Sequence, residues 1–305
     1  MLTTQIPQLL RGDFRTLARL ITAVENTPEH AESLLSGLPG GSTRIIGITG
    51  PPGAGKSTLT DALITQLLAS NKKIAVLAVD PSSPFHRGAL LGDRIRMGAH
   101  FSDPRVFIRS LATRGSFGGL HPEIIGISTL VASAGFDYLI IETVGVGQSE
   151  VEIASLAHTT VVVLVPESGD DIQTMKAGLM EIADIFLVNK ADHASADRLV
   201  SALRHLAGKR AQKSRDWVPP VLKTVATEQK GMAELVKALE DHQNSPGMEK
   251  KNAKLMVEKA IRLISQRRMR DLDVSRLQQL VTQYMQAGNL NLYRLIREFE
   301  ENGKL

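Results

Sequence analysis

The sequence contains no cysteine and few aromatic residues, and both features narrow the possible functions. Without cysteine among its 305 residues, the chain cannot build a disulfide scaffold, a cysteine-ligated zinc or iron–sulfur site, or a cysteine nucleophile. Aromatic residues make up only 4% of the chain, which leaves little material for stacking on nucleic-acid bases. The 36 basic and 32 acidic residues give a net charge of only +4. We therefore expect no nucleic-acid partner.

Long hydrophobic runs are also missing. No apolar stretch approaches the roughly 18 residues that a membrane-spanning helix needs. The first ten residues lack the basic segment and the long apolar segment of a secretory signal. We therefore expect a mature, cytoplasmic protein that has no membrane partner.

Short runs rich in valine and isoleucine alternate with helical signals through the middle of the sequence. This alternation predicts an α/β fold, with a mostly parallel central sheet of about seven strands that helices cover on both faces. The expected strands are Arg44–Thr49, Lys73–Val79, Val106–Arg109, Tyr138–Ile141, Thr160–Val165, Ile185–Val188 and Val221–Thr224.

The two ends of the sequence carry helical patterns only. Apolar residues recur with helical spacing between Leu9 and Val24, and Thr27-Pro28 begins a second short helix. From Met248 onward there is no strand signal, and three amphipathic helices are expected. We therefore predict an N-terminal helical extension (1–40), a central domain (41–247) and a C-terminal helical extension (248–305).

The C-terminal helices are expected over Glu249–Arg270, Val274–Ala287 and Leu290–Asn302. Their apolar stripe must be covered, either by their own domain or by a second copy of the chain. We favour the second copy, because helices appended after a complete sheet have little sheet left to cover. The expectation is a homodimer.

The segment Gly50–Ser57 matches the phosphate-binding pattern G-x-x-x-x-G-K-S, between an expected strand and an expected helix. Glycines let backbone N–H groups surround phosphate oxygens, and the helix N-terminus adds partial positive charge. Lys56 can reach the β- and γ-phosphates, and the Ser57 hydroxyl suits Mg²⁺. The predicted phosphate-binding residues are Gly50, Pro51, Pro52, Gly53, Ala54, Gly55, Lys56, Ser57 and Thr58.

Carboxylates that could serve the metal follow two other strands. Glu142 ends the strand that begins at Tyr138, in the place of the acidic residue of a P-loop NTPase, and it is one methylene longer than the usual aspartate. Gly145 follows with the spacing of a GTPase switch, where its N–H would bond the γ-phosphate. Asp80 also lies at a strand carboxyl end, where ligands bind in open α/β sheets. We predict catalytic roles for Lys56, Glu142 and Gly145.

The tetrapeptide Asn189–Asp192 indicates guanine recognition, because it has the pattern N-K-x-D after a late strand. The Asp192 carboxylate can accept from both N1–H and N2–H₂ of guanine, and adenine offers neither in that geometry. The Lys190 stem can lie over the base, and Asn189 can connect loops. After the last expected strand, Thr224, Val225 and Ala226 stand where GTPases present a backbone N–H to guanine O6.

Four further blocks of the sequence are specific in combination: Asp80–Pro84, Leu91–Arg94, Glu142–Glu150 and Asp170–Gln173, of which Glu142–Glu150 is the most distinctive. With these blocks in order, the chain resembles the GTPases associated with methylmalonyl-CoA mutase (the MeaB/ArgK type) from about Leu9 to Met248. Val225 departs from the pattern, since many relatives carry serine there.

The resemblance implies a homodimer with a central G domain that hydrolyses GTP to GDP with Mg²⁺. It further implies a chaperone that gates adenosylcobalamin loading from an adenosyltransferase and protects an adenosylcobalamin-dependent acyl-CoA mutase. By motif, the metal-site residues would be Ser57, Asp80, Asp93 and Glu142. An additional switch would comprise Asp170, Gln173 and Lys176, and Lys176 would also be a catalytic residue.

Two alternatives stay open. A related metal-insertion GTPase for a nickel enzyme would want cysteine or clustered histidine, whereas the eight histidines here are scattered. A kinase or ATPase of a transport system would need an adenine site, which Asn189–Asp192 argues against.

Overall fold

The protein is described here by a computed structural model that covers residues 2–80, 97–113, 120–143, 149–166, 177–211, 217–270 and 272–302. The chain forms two compact units, Met1–Met256 and Val257–Leu305. The point of division lies inside the helix Met248–Arg270.

The first unit is built on a seven-stranded sheet in the order β3-β2-β4-β1-β5-β6-β7, and every neighbouring pair is parallel. The predicted fold class is confirmed, although β3 runs three residues beyond its expected end. The strands are β1 (Arg44–Thr49), β2 (Ile74–Asp80), β3 (Val106–Ala112), β4 (Tyr138–Glu142), β5 (Thr159–Leu164), β6 (Ile185–Val188) and β7 (Val221–Lys223).

Helices precede, connect and follow these strands. Pro39–Gly41 and Gly288 lie between elements. The described α-helices are α1 (Ile6–Leu10), α2 (Phe14–Asn26), α3 (Pro28–Ser36), α4 (Lys56–Ala69), α5 (Ile124–Ser133), α6 (Ser149–Glu152), α7 (Ala177–Ile182), α8 (Ala196–Ala211), α9 (Met232–Gln243), α10 (Met248–Arg270), α11 (Val274–Gln286) and α12 (Leu292–Asn302).

Alternate residues of each strand enter cores on opposite faces of the sheet. On β4, Leu139 and Ile141 pack with α2, α3 and α5, whereas Tyr138 and Ile140 pack with α4 and α9. A third cluster covers β5 and β6 with α8. Burial on both faces explains why the strands are continuously apolar, with no polar residue at every second position.

The N-terminal helices belong to the same core as the sheet. The α2 residues Leu17, Leu20 and Ile21 are fully buried, and each such side chain contributes about 1.5–3 kcal/mol of burial free energy. Asp13 caps α2 by accepting a hydrogen bond from the Thr16 N–H. Glu25 of α2 forms an ion pair with Arg109 of β3.

A buried polar cluster joins the beginnings of β5 and β6 to α9 and α10. Asp184 accepts from the Thr160 N–H (2.7 Å), contacts His242 (3.3 Å) and pairs with Lys251. Burial alone would raise the pKa of the Asp184 carboxyl, but the His242 hydrogen bond and the Lys251 charge together hold that pKa below its ordinary value. The charged carboxylate therefore stabilises the fold.

The C-terminal unit exposes many apolar side chains, as the sequence pattern suggested. Ile261 and Leu292 are 58% and 60% exposed, and Tyr293 is 84% exposed. Within the unit, α11 and α12 contact each other through Tyr284 and Glu298 and through Arg276 and Phe299. No helix in the described part of the chain is long and apolar enough to cross a membrane.

We expect Asp184→Asn to lower the free energy of unfolding by about 3 kcal/mol at pH 7, because it leaves Lys251 without its buried counter-charge. Because the pKa of Asp184 is lowered in the folded state, its charge stabilises the folded protein fully above the unfolded-state pKa of 3.8. This stabilisation is lost as the pH falls through the folded-state pKa. In urea denaturation, the difference in the free energy of unfolding between wild type and variant should therefore decrease from about pH 5 to about pH 3.

The matched control is Asp197→Asn, since Asp197 pairs with Lys223 at the surface and is 82% exposed. Its effect on unfolding should be much smaller. If the difference in the free energy of unfolding between wild type and Asp184→Asn stays constant across the acid range, the role assigned to the Asp184 charge is wrong.

Candidate functional site

The loop between β1 and α4 depends on two glycines with positive φ. Gly50 has φ +144°, and a Cβ there would lie 2.1 Å from the Val163 carbonyl oxygen. Gly55 has φ +81°, and its Cβ would lie 2.6 Å from the Asn189 amide nitrogen. Gly50 and Gly55 of the predicted phosphate loop are thus required by their close approach to β5 and to Asn189.

Lys56 begins α4 and is buried, with 6% of its surface exposed. Its ammonium donates hydrogen bonds to the carbonyl oxygens of Gly50 (2.9 Å) and Pro51 (3.0 Å). These bonds keep the charge at the centre of the loop, where phosphate oxygens could compete for the same protons.

Glu142, at the end of β4, reaches across to the first turn of α4. Ser57 Oγ donates to Glu142 Oε1 over 2.6 Å, and Thr60 Oγ1 donates to Oε2 over 2.9 Å. Glu142 is only 4% exposed. The register of β1 and β4, with Ile48 beside Glu142, brings the carboxylate to this position.

A cavity of about 410 Å³ lies over the loop and the helix N-terminus. Hydroxyl, carboxylate and ammonium groups face it together with loop backbone, a combination that suits phosphate and a hard cation. Its lining comprises Pro52, Gly53, Gly55, Lys56, Ser57, Thr58, Val79, Glu142, Thr143 and Lys190.

Asn189, which follows β6, connects three loops through its side chain. Its amide nitrogen donates to the Ala54 carbonyl (3.0 Å), and its oxygen accepts from Thr224 Oγ1 and the Ala226 N–H (both 3.2 Å). The side chain is buried. This single amide therefore joins the phosphate loop to the loop after β7.

A second cavity, of about 250 Å³, adjoins the first and shares Gly55, Thr58 and Lys190 with it. Asp192 lies at this cavity on an exposed position. The predicted guanine residues Val225 and Ala226 also line it, and the predicted Thr224 lies beneath them, bonded to Asn189.

Several predicted residues have no described surroundings. Asp80 is the last residue of β2, but its side chain lies outside the described part of the structure. The predicted metal residue Asp93, the predicted catalytic residue Gly145 and the switch residues Asp170, Gln173 and Lys176 also lie outside the described residues. Their roles stay predictions.

Residues 17–283 match the family model described as the methylmalonyl-CoA mutase-associated GTPase MeaB. The chain belongs to the MeaB family. MeaB is a GTPase family, and the match agrees with the resemblance that the sequence blocks indicated.

Individual relatives of this MeaB-family chain are also named as GTPases. A GTPase of Pyrococcus abyssi is 50% identical over 246 residues, which are 79% of this chain and 76% of its own length. A mouse protein named the mitochondrial methylmalonic aciduria type A homolog is 35% identical over 261 residues, 77% of this chain and 61% of its own length. The crystal structure of a LAO/AO transport system kinase superposes with TM-score 0.71 and 28% identity, covering 98% and 96% of the two chains.

Sequence reasoning did not assign a role to Thr60 or Thr143, which lie at the site of this MeaB-family chain. Thr60 contacts Glu142, and Thr143 lines the phosphate cavity and donates to Thr49 Oγ1 over 3.0 Å. The spacing of Ser57 and Thr60, three apart on one helix, was a usable signal, because such residues share a face.

We expect Asn189→Ala to lower the free energy of unfolding by about 2–4 kcal/mol, because it removes three hydrogen bonds and leaves buried groups without them. Asp192 belongs to the same motif but is exposed, so Asp192→Ala should change the free energy of unfolding by about 0.5 kcal/mol or less. Urea denaturation of both nucleotide-free variants tests this. Equal losses in the two variants would contradict the structural role of Asn189.

Proposed function

We propose that this chain is a Mg²⁺-dependent GTPase that serves as a chaperone for an adenosylcobalamin-dependent acyl-CoA mutase, such as methylmalonyl-CoA mutase. The observation that supports the GTPase activity is a pair of adjoining cavities with a shared wall. One lies around the phosphate loop and the other lies at Asp192. Their separation into a charged half and a base-sized half matches the two ends of a nucleotide.

The phosphate half supports hydrolysis through positioning and charge neutralisation. Lys56 would turn from the loop carbonyls toward the β- and γ-phosphates, and the N-terminus of α4 would face the same oxygens. Bound Mg²⁺ would neutralise charge that develops on the phosphates. The oxygen donors Ser57 and Glu142 fit that ion, because hard cations prefer hydroxyl and carboxylate oxygen.

The base half supports selection of guanine. The Asp192 carboxylate would accept two hydrogen bonds from the N1–H and N2–H₂ groups, and the Lys190 stem would cover the ring. Lys190 has φ +53°, in the left-handed region, so the chain leaves the extended geometry of β6 directly after Asn189. The Ala226 region would supply the contact to guanine O6.

The client is proposed from the family, whose description associates it with methylmalonyl-CoA mutase. In this proposal the chain gates cofactor loading from an adenosyltransferase and protects the mutase. Its exposed C-terminal apolar side chains, including Ile261 and Leu292, would be covered in a homodimer. Asp170, Gln173 and Lys176 would couple the nucleotide state to the client.

We expect Asp192→Asn to weaken GTP and GDP affinity about 100-fold, since two hydrogen bonds to a charged acceptor are lost. ATP affinity should not change, and neither should the melting temperature, because Asp192 is exposed. Competition against a fluorescent guanine nucleotide measures both affinities. Comparable ATP and GTP affinity in the wild type would instead favour an adenine-using kinase or ATPase.

The client is tested by GTP hydrolysis with and without a purified adenosylcobalamin-dependent acyl-CoA mutase from the same source. We expect slow turnover alone and clear acceleration by the mutase, lost in Lys176→Ala. If the mutase neither binds nor accelerates hydrolysis, the client is wrong. Micromolar nickel binding would then favour metal insertion, and phosphate transfer to a protein rather than to water would favour a kinase.

A further inference from the structure

Two hydroxyl groups of one helix hold the two oxygens of the Glu142 carboxylate. Ser57 and Thr60 are three residues apart on α4, so their side chains lie on the same face. Ser57 Oγ is 2.6 Å from Oε1 and Thr60 Oγ1 is 2.9 Å from Oε2. Ser57 lines the phosphate cavity, whereas Thr60 is completely buried.

The protons of this arrangement can be assigned from chemistry. A hydroxyl group carries one proton, and an ionised carboxylate only accepts. Thr60 Oγ1 also lies 3.0 Å from the Lys56 carbonyl, but the charged carboxylate is the stronger acceptor. Each oxygen of Glu142 therefore receives one hydroxyl proton.

The extra methylene of Glu142 explains why a second contact matters. Compared with aspartate, glutamate has one more rotatable bond, and fixing it costs conformational entropy. The bonds from Ser57 and Thr60 reach different oxygens of the carboxylate, so together they oppose its rotation about the last side-chain bond.

We propose that Thr60 is a positioning residue for the magnesium site, acting through Glu142 and touching neither the ion nor the nucleotide. This inference rests on the proposed Mg²⁺-dependent GTPase. Its consequence is that Thr60 sets the affinity for Mg²⁺ without setting the affinity for the nucleotide itself.

The same helix provides an internal comparison for a purely structural role. Thr65 donates to the carbonyl four residues earlier, Asp61, over 3.1 Å, as Thr60 can to the carbonyl of Lys56. Among the described residues, no carboxylate contact accompanies the Thr65 bond, which lies at an exposed position. Thr65→Val therefore removes a helix contact alone, whereas Thr60→Val removes the contact to Glu142.

The experiment measures binding of a fluorescent GDP analogue to the purified full-length chain, first in EDTA and then across a Mg²⁺ titration. The readout is the Mg²⁺ concentration that half-maximally slows GDP release. We expect Thr60→Val to raise this concentration about tenfold, in the range seen when groups that orient metal ligands are removed. GDP affinity in EDTA should stay within about twofold.

Thr60→Ser should restore the wild-type magnesium response, because it keeps the hydroxyl, and Thr65→Val should match the wild type. If Thr60→Val does not fold, Thr60→Ala is measured in the same way, with the same expected shift.

Two outcomes overturn the inference alone: a magnesium response of Thr60→Val equal to that of the wild type, or an equal loss of GDP affinity in EDTA and in Mg²⁺. The second would mean that Thr60 only supports the loop. A wild-type chain that binds GDP without any response to Mg²⁺ would overturn both the proposed function and this inference.

Discussion

The candidate site depends on the central position of β1 in a wholly parallel sheet. Because β1 lies between β4 and β5, the loop after Thr49 opens between the ends of those two strands. Glu142 ends one neighbour, and Asn189 follows the next strand beyond the other. Three motifs that are far apart in sequence therefore meet at one edge, as the carboxyl ends of parallel strands must.

Buried charge at this edge is compatible with stability because Lys56 and Glu142 both have specific polar partners. Lys56 donates to loop carbonyls, and Glu142 accepts from hydroxyls of α4. Leaving either group without such contacts would be costly in a site this buried. The contacts of Glu142 hold its carboxylate in position before a ligand arrives, whereas Lys56 would exchange its loop carbonyls for phosphate oxygens on binding.

The sequence predicted much of this arrangement, and the reasons for its limits are physical. Strand positions followed from apolar runs, and the phosphate and base loops followed from residue types that their backbone geometry requires, such as Gly50 and Gly55. The Asp184 cluster with His242 and Lys251 was not foreseeable, because it joins distant residues that form no motif. Thr60 was missed because its contact depends on how α4 is rotated above β4, which periodicity alone does not determine.

Stability and specificity are assigned to different residues of one tetrapeptide. Asn189 is buried and connects the phosphate loop to the loop after β7, so its role is structural. Asp192 is exposed at the second cavity, so its carboxylate can meet a base without supporting the structure. The proposed magnesium site repeats this division between Thr60, behind the carboxylate, and Ser57, which faces the cavity. In both halves, a buried hydrogen-bonding side chain fixes the position of the groups that meet the ligand.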